Sequence, residues 1–127
     1  MFSYGTLLAC IIFMVVSILR LFPQREERRH VMSVLRSVRN PVRAHPRCLG
    51  CYLCEEDDYD SILYMEQWDS EEDLHHHIQS ALYNRILAAA ELSHTRPEFH
   101  FYYVKESRGM DLIEYLRVPE PHSKSRG

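Results

Sequence analysis

The sequence predicts an α+β domain of ferredoxin-like order, βαββααβ, with a single antiparallel sheet and its helices on one face. Three observations predict it. Four stretches have the β-branched and aromatic content and the two-residue alternation of strands. Between them lie amphipathic stretches in which apolar residues recur every three or four positions. Several of the strands are also apolar on both faces, which helices on one side cannot cover. A second copy of the same sheet would supply the missing cover, so a homodimer packed sheet to sheet is the expected assembly.

The elements follow in order. Residues 6–19, TLLACIIFMVVSIL, form an apolar run closed by Arg20, short for a membrane span and with nothing basic before it. Residues 1–13 are expected to be an appendage, from a misplaced start or serving as a weak anchor, and the domain to run from 14 to 117. From Met14, Val15, Ser17, Leu19 and Leu21 alternate with Val16, Ile18 and Arg20 along a first strand that Pro23 ends. Residues 24–39 repeat Val31, Val34, Leu35 and Val38 at helical spacing, with arginines opposite. Asn40-Pro41 is expected to break or kink this helix, because the residue before proline avoids the helical region.

A second strand covers Leu49 to Glu55, and the acidic stretch EEDDYDS makes the hairpin loop to a third over Ile62–Trp68. There Ile62, Tyr64, Glu66 and Trp68 share one face. Ser70 fits a helix N-cap, with Glu71, Glu72 and Asp73 suited to the positive end of the helix dipole, and the helix covers 70–78. A second helix runs from about Ser80 to Leu92 with Leu82, Tyr83 and Ile86 inward, and Pro97 stops it. The fourth strand covers 98–106, a short helix 109–116, and 118–127 is expected to be a flexible tail.

At 127 residues the chain has room for one core. The net charge of −3 says less than its distribution. Arginines crowd the first third, whereas Cys48 to Asn84 holds ten acidic residues and no Lys or Arg. That asymmetry favours packing of opposite surfaces. No nucleic-acid motif accompanies the arginines, and neither a nucleic-acid nor a membrane partner is expected. Cys48, Cys51 and Cys54 invite a metal reading. On a regular strand, however, Cys48 and Cys54 face one side and Cys51 the other, so the three cannot converge on one ion. Buried thiols in a reducing cytoplasm are the expected state.

Chemistry concentrates after the third strand. The turn from strand to helix brings Trp68 near the helix face of Leu74, His77 and Ile78. Successive helix residues point about 100° apart, so of His75, His76 and His77 only one faces the sheet. His77 is the inward one, and an imidazole can move a proton near neutral pH. Glu66 shares the Trp68 face. It is either a proton acceptor in a pocket or a structural carboxylate satisfied by nearby donors.

These stretches together resemble the antibiotic-biosynthesis monooxygenase family, a group of dimeric α+β barrels, and in particular its small quinol-oxidising members. The resemblance spans roughly Met14 to Arg117. It rests on MVVSILRLFP, CLGCYL, the central EQWDSEEDLHHHIQS, and the later LYNRILAAAEL and SRGMDLIEYLR. It implies a dimer with a pocket between sheet and helices, and oxygenation of a quinol- or anthrone-like aromatic without metal, flavin or haem. On that reading His77, Trp68 and Glu66 are the catalytic candidates, and Tyr64, Ser17, Leu74, Leu82 and Tyr83 the substrate-binding ones. The chain also departs from the family. Tyr64 and Leu74 stand where anthrone-oxidising members have Asn and Tyr, Leu82 where many quinol-type members have a second His, and Arg47 where they usually have Gly. Ile86-Leu87 replaces the axial His of the haem-degrading branch, so no haem is expected. The alternative function is a non-catalytic dimeric module of this fold that binds a ligand or another protein.

Overall fold

Burial alternates residue by residue along the first strand, β1 (Met14–Leu21), with Val15, Ser17, Leu19 and Leu21 buried and their neighbours half-buried. This is the period of a strand with one face on a core. The computed structural model describes residues 14–58 and 60–119; the appendage expected over 1–13 and positions 120–127 of the expected tail lie outside them. After β1 come α1 (Arg25–Ala44), β2 (Cys48–Glu56), β3 (Ser61–Trp68), α2 (Glu71–Ile78), α3 (Tyr83–Ala90), β4 (Glu98–Val104) and α4 (Met110–Leu116). The strands form one antiparallel sheet in the order β2-β3-β1-β4. The expected ferredoxin-like α+β fold is the one observed.

α1 buries Val31, Met32, Leu35, Val38 and Val42 against the sheet. Of the break or kink expected at Asn40-Pro41, the break does not occur: the helix continues to Ala44. Proline withholds an N–H from the carbonyl four residues earlier, here that of Ser37. Both Ser37 and Pro41 are on the exposed side, where water can satisfy that carbonyl, while buried Val42 anchors the last turn.

A second difference lies in β2. The register slips between Cys48 and Gly50, so Cys48 pairs with Trp68 and Cys51 with Glu66. Residues opposite one another share a face, so this β-bulge puts Cys48 and Cys51 on the same, helix-covered side. The strict alternation that separates them in the sequence reading fails at the one extra residue. Cys54 pairs with Leu63 on the other side. Among the described residues no group of three or more His, Cys, Asp or Glu could hold a metal ion.

The covered face carries the core: Val15, Leu19, Leu21, Ile62, Tyr64 and Trp68 from the sheet, Leu74 from α2, and Tyr83, Ile86 and Ala89 from α3. The open face also carries apolar side chains. Val16, Ile18, Leu63 and Met65 are half-buried there, and Tyr52 and Tyr102 are about half exposed. Among the described residues no helix is long and apolar enough to cross a membrane.

Candidate functional site

The site grows from β3 and the turn that follows it. Glu66 and Trp68 lie two residues apart and therefore point the same way, into the covered face. Ser70 then caps α2 as expected, accepting the Asp73 N–H at 3.1 Å. The cap sets the phase of the helix so that Leu74 and His77 turn inward, while His75 and His76 stay exposed. At the far end Ser80 Oγ donates to the His77 carbonyl at 2.6 Å, closing the helix behind the imidazole.

Glu66 is wholly buried and accepts three hydrogen bonds. Trp68 Nε1–H reaches Oε1 at 2.9 Å, and Oε2 takes the Tyr64 hydroxyl at 2.6 Å and His77 Nε2 at 2.8 Å. The direction of each follows from the donors. Indole can only donate, and Cys51 Sγ donates to Tyr64 Oη at 3.3 Å, which commits the Tyr64 proton to Glu66. Glu66 therefore accepts from Trp68 and Tyr64, and with the carboxylate ionised the third partner, His77, bonds it through Nε2–H. The lone pair of neutral His77 then lies on Nδ1, which has no hydrogen-bond partner among the described residues. A buried carboxylate of this kind needs such partners to offset its desolvation.

The same charge acts on its neighbours. Burial, reinforced by the Glu66 charge, pushes the Tyr64 phenol far above its ordinary value and keeps it a donor. Tyr83 is pushed up to about 12, by burial first and the Glu66 charge second. Burial raises the Cys51 thiol to about 12, against a lowering hydrogen bond to Tyr64. Burial also raises the Cys48 thiol.

Above this buried cluster His77 lies against Trp68, ring centroids 4.8 Å apart, and Tyr83 meets His77 edge-on at 5.2 Å. His45 also meets Trp68, edge-on at 5.2 Å. A cavity of about 220 Å³ opens here, lined by Pro41, Val42, His45, Trp68, His76, His77, Ser80 and Leu82.

Of the residues singled out from sequence, Trp68, His77 and Leu82 line the cavity. Glu66 and Tyr64 lie beneath it as the support of His77 and Trp68. Tyr83 flanks His77, Leu74 is a core residue, and Ser17 is the buried β1 partner of Glu66. The sequence reading did not place His45, Pro41 or Val42 at the site. For His45 the signal was the short AHPR connection from α1 into β2, which lies close to Trp68 because Cys48 pairs with it; Pro41 and Val42 come from the last turn of α1.

A ferredoxin-like sheet with a buried carboxylate orienting an imidazole beside an aromatic-walled cavity defines the class of protein: a small α+β domain with the makings of a ligand site. The family follows from comparison. The model of the antibiotic biosynthesis monooxygenase family matches residues 14–89, more than half of the chain, and the chain belongs to that family. Among solved structures it resembles Rv0793 from Mycobacterium tuberculosis, with a TM-score of 0.68 and 23% identity over 76% of this chain and 99% of that one. A protein from Deinococcus radiodurans, provisionally named an antibiotic biosynthesis monooxygenase, matches with a TM-score of 0.67 and 23% identity over 75% and 96% of the two chains. A similarly named protein from Nitrosomonas europaea matches with a TM-score of 0.67 and 14% identity, over 77% and 96%. At these identities the likeness speaks for the fold. No curated protein matches the chain significantly.

Proposed function

We propose that the chain is a cofactor-independent monooxygenase that oxidises a small electron-rich aromatic, quinol- or anthrone-like, in the cavity beside Trp68. The observation that carries this reading is the hold of Glu66 on His77 Nε2 at 2.8 Å, on the wall of that cavity. With Nε2–H committed to the carboxylate, Nδ1 is the general base. It accepts the acidic proton of the substrate, and Glu66 stabilises the imidazolium that forms. The anion left behind is electron-rich enough to reduce O2 itself. In an anthrone the ring CH2 becomes C=O, and in a hydroquinol a ring C–H becomes C–OH while the diol becomes the quinone. In both, one oxygen atom enters the product and the other leaves as water, so the substrate supplies all the electrons. Trp68 is the surface on which the ring lies, its N–H being spent on Glu66. The working unit is a homodimer joined through the apolar open faces of two sheets, and the free thiols of Cys48, Cys51 and Cys54 suit a cytoplasmic location.

The test is oxygen uptake with a panel of hydroquinols and anthrones in chelator-containing buffer. Uptake that survives the chelator and falls roughly 100-fold or more in His77→Ala, with a smaller loss in Trp68→Phe, is the expected result. No uptake above the autoxidation blank sinks the oxygenase reading. Ligand binding without uptake would favour the alternative, a non-catalytic ligand-binding module. The apolar Leu82 on the cavity wall is the observation on its side.

A further inference from the structure

His45 is the second imidazole of the cavity, and its ring orientation is set by the backbone. Arg47 N–H donates to His45 Nδ1 at 3.0 Å, so the neutral ring carries its proton on Nε2. Among the described residues that Nε2–H has no hydrogen-bond partner. The Arg47 side chain is held away from this task by Asp69 at 3.1 Å and Asp73 at 3.8 Å, so its contribution to the cavity is its N–H. The two imidazoles touch one indole and line one cavity, and the atoms they leave unbonded have opposite chemistry: a lone pair on His77 Nδ1 when Nε2–H is on Glu66, and a proton on His45 Nε2. The rest of the wall is largely apolar. An apolar cavity of about 150 Å³ accepts benzene, and 220 Å³ has room for a substituted ring.

We infer that His45 is the hydrogen-bond donor that selects ligands for this cavity, binding an aromatic ring through a phenolic oxygen that accepts from Nε2–H. His45 is exposed in the free protein, where water meets its Nε2–H; a bound apolar ring displaces that water without replacing the bond, and hydroxyl selectivity is the consequence. The inference rests on the cavity being the ligand site proposed above, but it does not require turnover. It concerns a segment, Ala44 to Arg47, that carries none of the oxygenase argument.

The chain has one tryptophan, so quenching of its fluorescence reports occupancy of the cavity directly. The probes are 4-nitrophenol and 4-nitrotoluene, which differ only in a hydroxyl against a methyl. In wild type 4-nitrophenol is expected to bind the more tightly. His45→Phe should weaken 4-nitrophenol by about tenfold, the worth of a hydrogen bond to an anionic or strongly polar oxygen, and leave 4-nitrotoluene nearly unchanged. The unchanged probe doubles as a check that the variant is folded. His45→Gln, which keeps an N–H donor, should recover most of the loss. Equal weakening of both probes, or no weakening of either, overturns the inference, as does the absence of quenching in wild type. Hydroxyl selectivity that depends on His45 in a protein showing no oxygen uptake would uphold the inference and remove the oxygenase reading. Uptake that depends on His77, with no selectivity owed to His45, would do the reverse.

Discussion

The two faces of the sheet are built from alternate residues of the same strands, yet they solve opposite problems. On the covered face Glu66 is fully buried and every lone pair it uses is directed by a donor from Tyr64, Trp68 or His77. One residue away on each side, Met65 and Gln67 face the open side and are half-buried in a single chain. The open face is apolar at its centre, with Val16, Ile18, Leu63 and Met65. Its edge is ionic: Arg20 bridges Glu56 at 2.7 Å and Glu98 at 3.4 Å. The first face is complete within one chain. The second has the composition of a surface awaiting a partner, an apolar centre within a polar rim. A charge sits comfortably at the core of this domain, while the half that looks more like a core is uncovered.

Removing the carboxylate should break the covered face most severely. Glu66→Ala leaves the Trp68 N–H, the Tyr64 hydroxyl and the His77 Nε2–H without their acceptor. The expected loss is about 3–5 kcal/mol of unfolding free energy, about 1 kcal/mol or more for each buried donor left unsatisfied, read from urea denaturation. A loss below about 1 kcal/mol would mean that the cluster contributes little to the fold.

The open face is sharpened by a single charge. Ile18→Glu places a carboxylate at the centre of the proposed dimer contact, opposite Met65 and His100. Sedimentation equilibrium should then show a monomer, with far-UV circular dichroism unchanged. A variant that stays dimeric would place the subunit contact elsewhere.

The smallest effect is a pH dependence confined to the covered face. The Cys51 thiol is raised from 9.0 to about 12 in the folded protein. A raised acid stays neutral when folded but ionises when unfolded, so its stabilising contribution is whole below pH 9.0 and is lost as pH climbs from there towards 12. Tyr83 behaves likewise from 10.0 to about 12. Between pH 9 and 10 the Cys51 share therefore dominates over that of Tyr83. Unfolding free energy should decline with pH across that interval, and Cys51→Ala should flatten the decline. An identical slope in the variant would show that the buried thiol is not its source.

Much of the fold was legible because it depends on local periodicity. The alternation from Ile62 to Trp68 placed Tyr64, Glu66 and Trp68 on one face. The helical spacing of Leu74 and Ile78 gave the inward side of α2, which is why His77, and not His75 or His76, could be picked as the inward ring. The identity of the Glu66 partners was less accessible. Donors to a buried carboxylate come from wherever the packed chain puts them, and here one is on β3 beside it, one at the strand end and one a helix away. Sequence periodicity also assumes an unbroken strand. The slip between Cys48 and Gly50 defeated it, turning Cys48 onto the same face as Cys51. At Pro41 a local rule about proline yielded to the burial of Val42.

By itself, then, the sequence determined the order of elements, the polarity of each strand face and the inward turn of His77, because these follow from side-chain geometry over a few neighbouring residues. The tertiary structure alone decided that Glu66 is a support beneath the cavity and that His45 meets the same indole as His77. The first depends on how α2 packs back onto β3, the second on register between β2 and β3, and both are long-range properties, decided by which whole faces bury together.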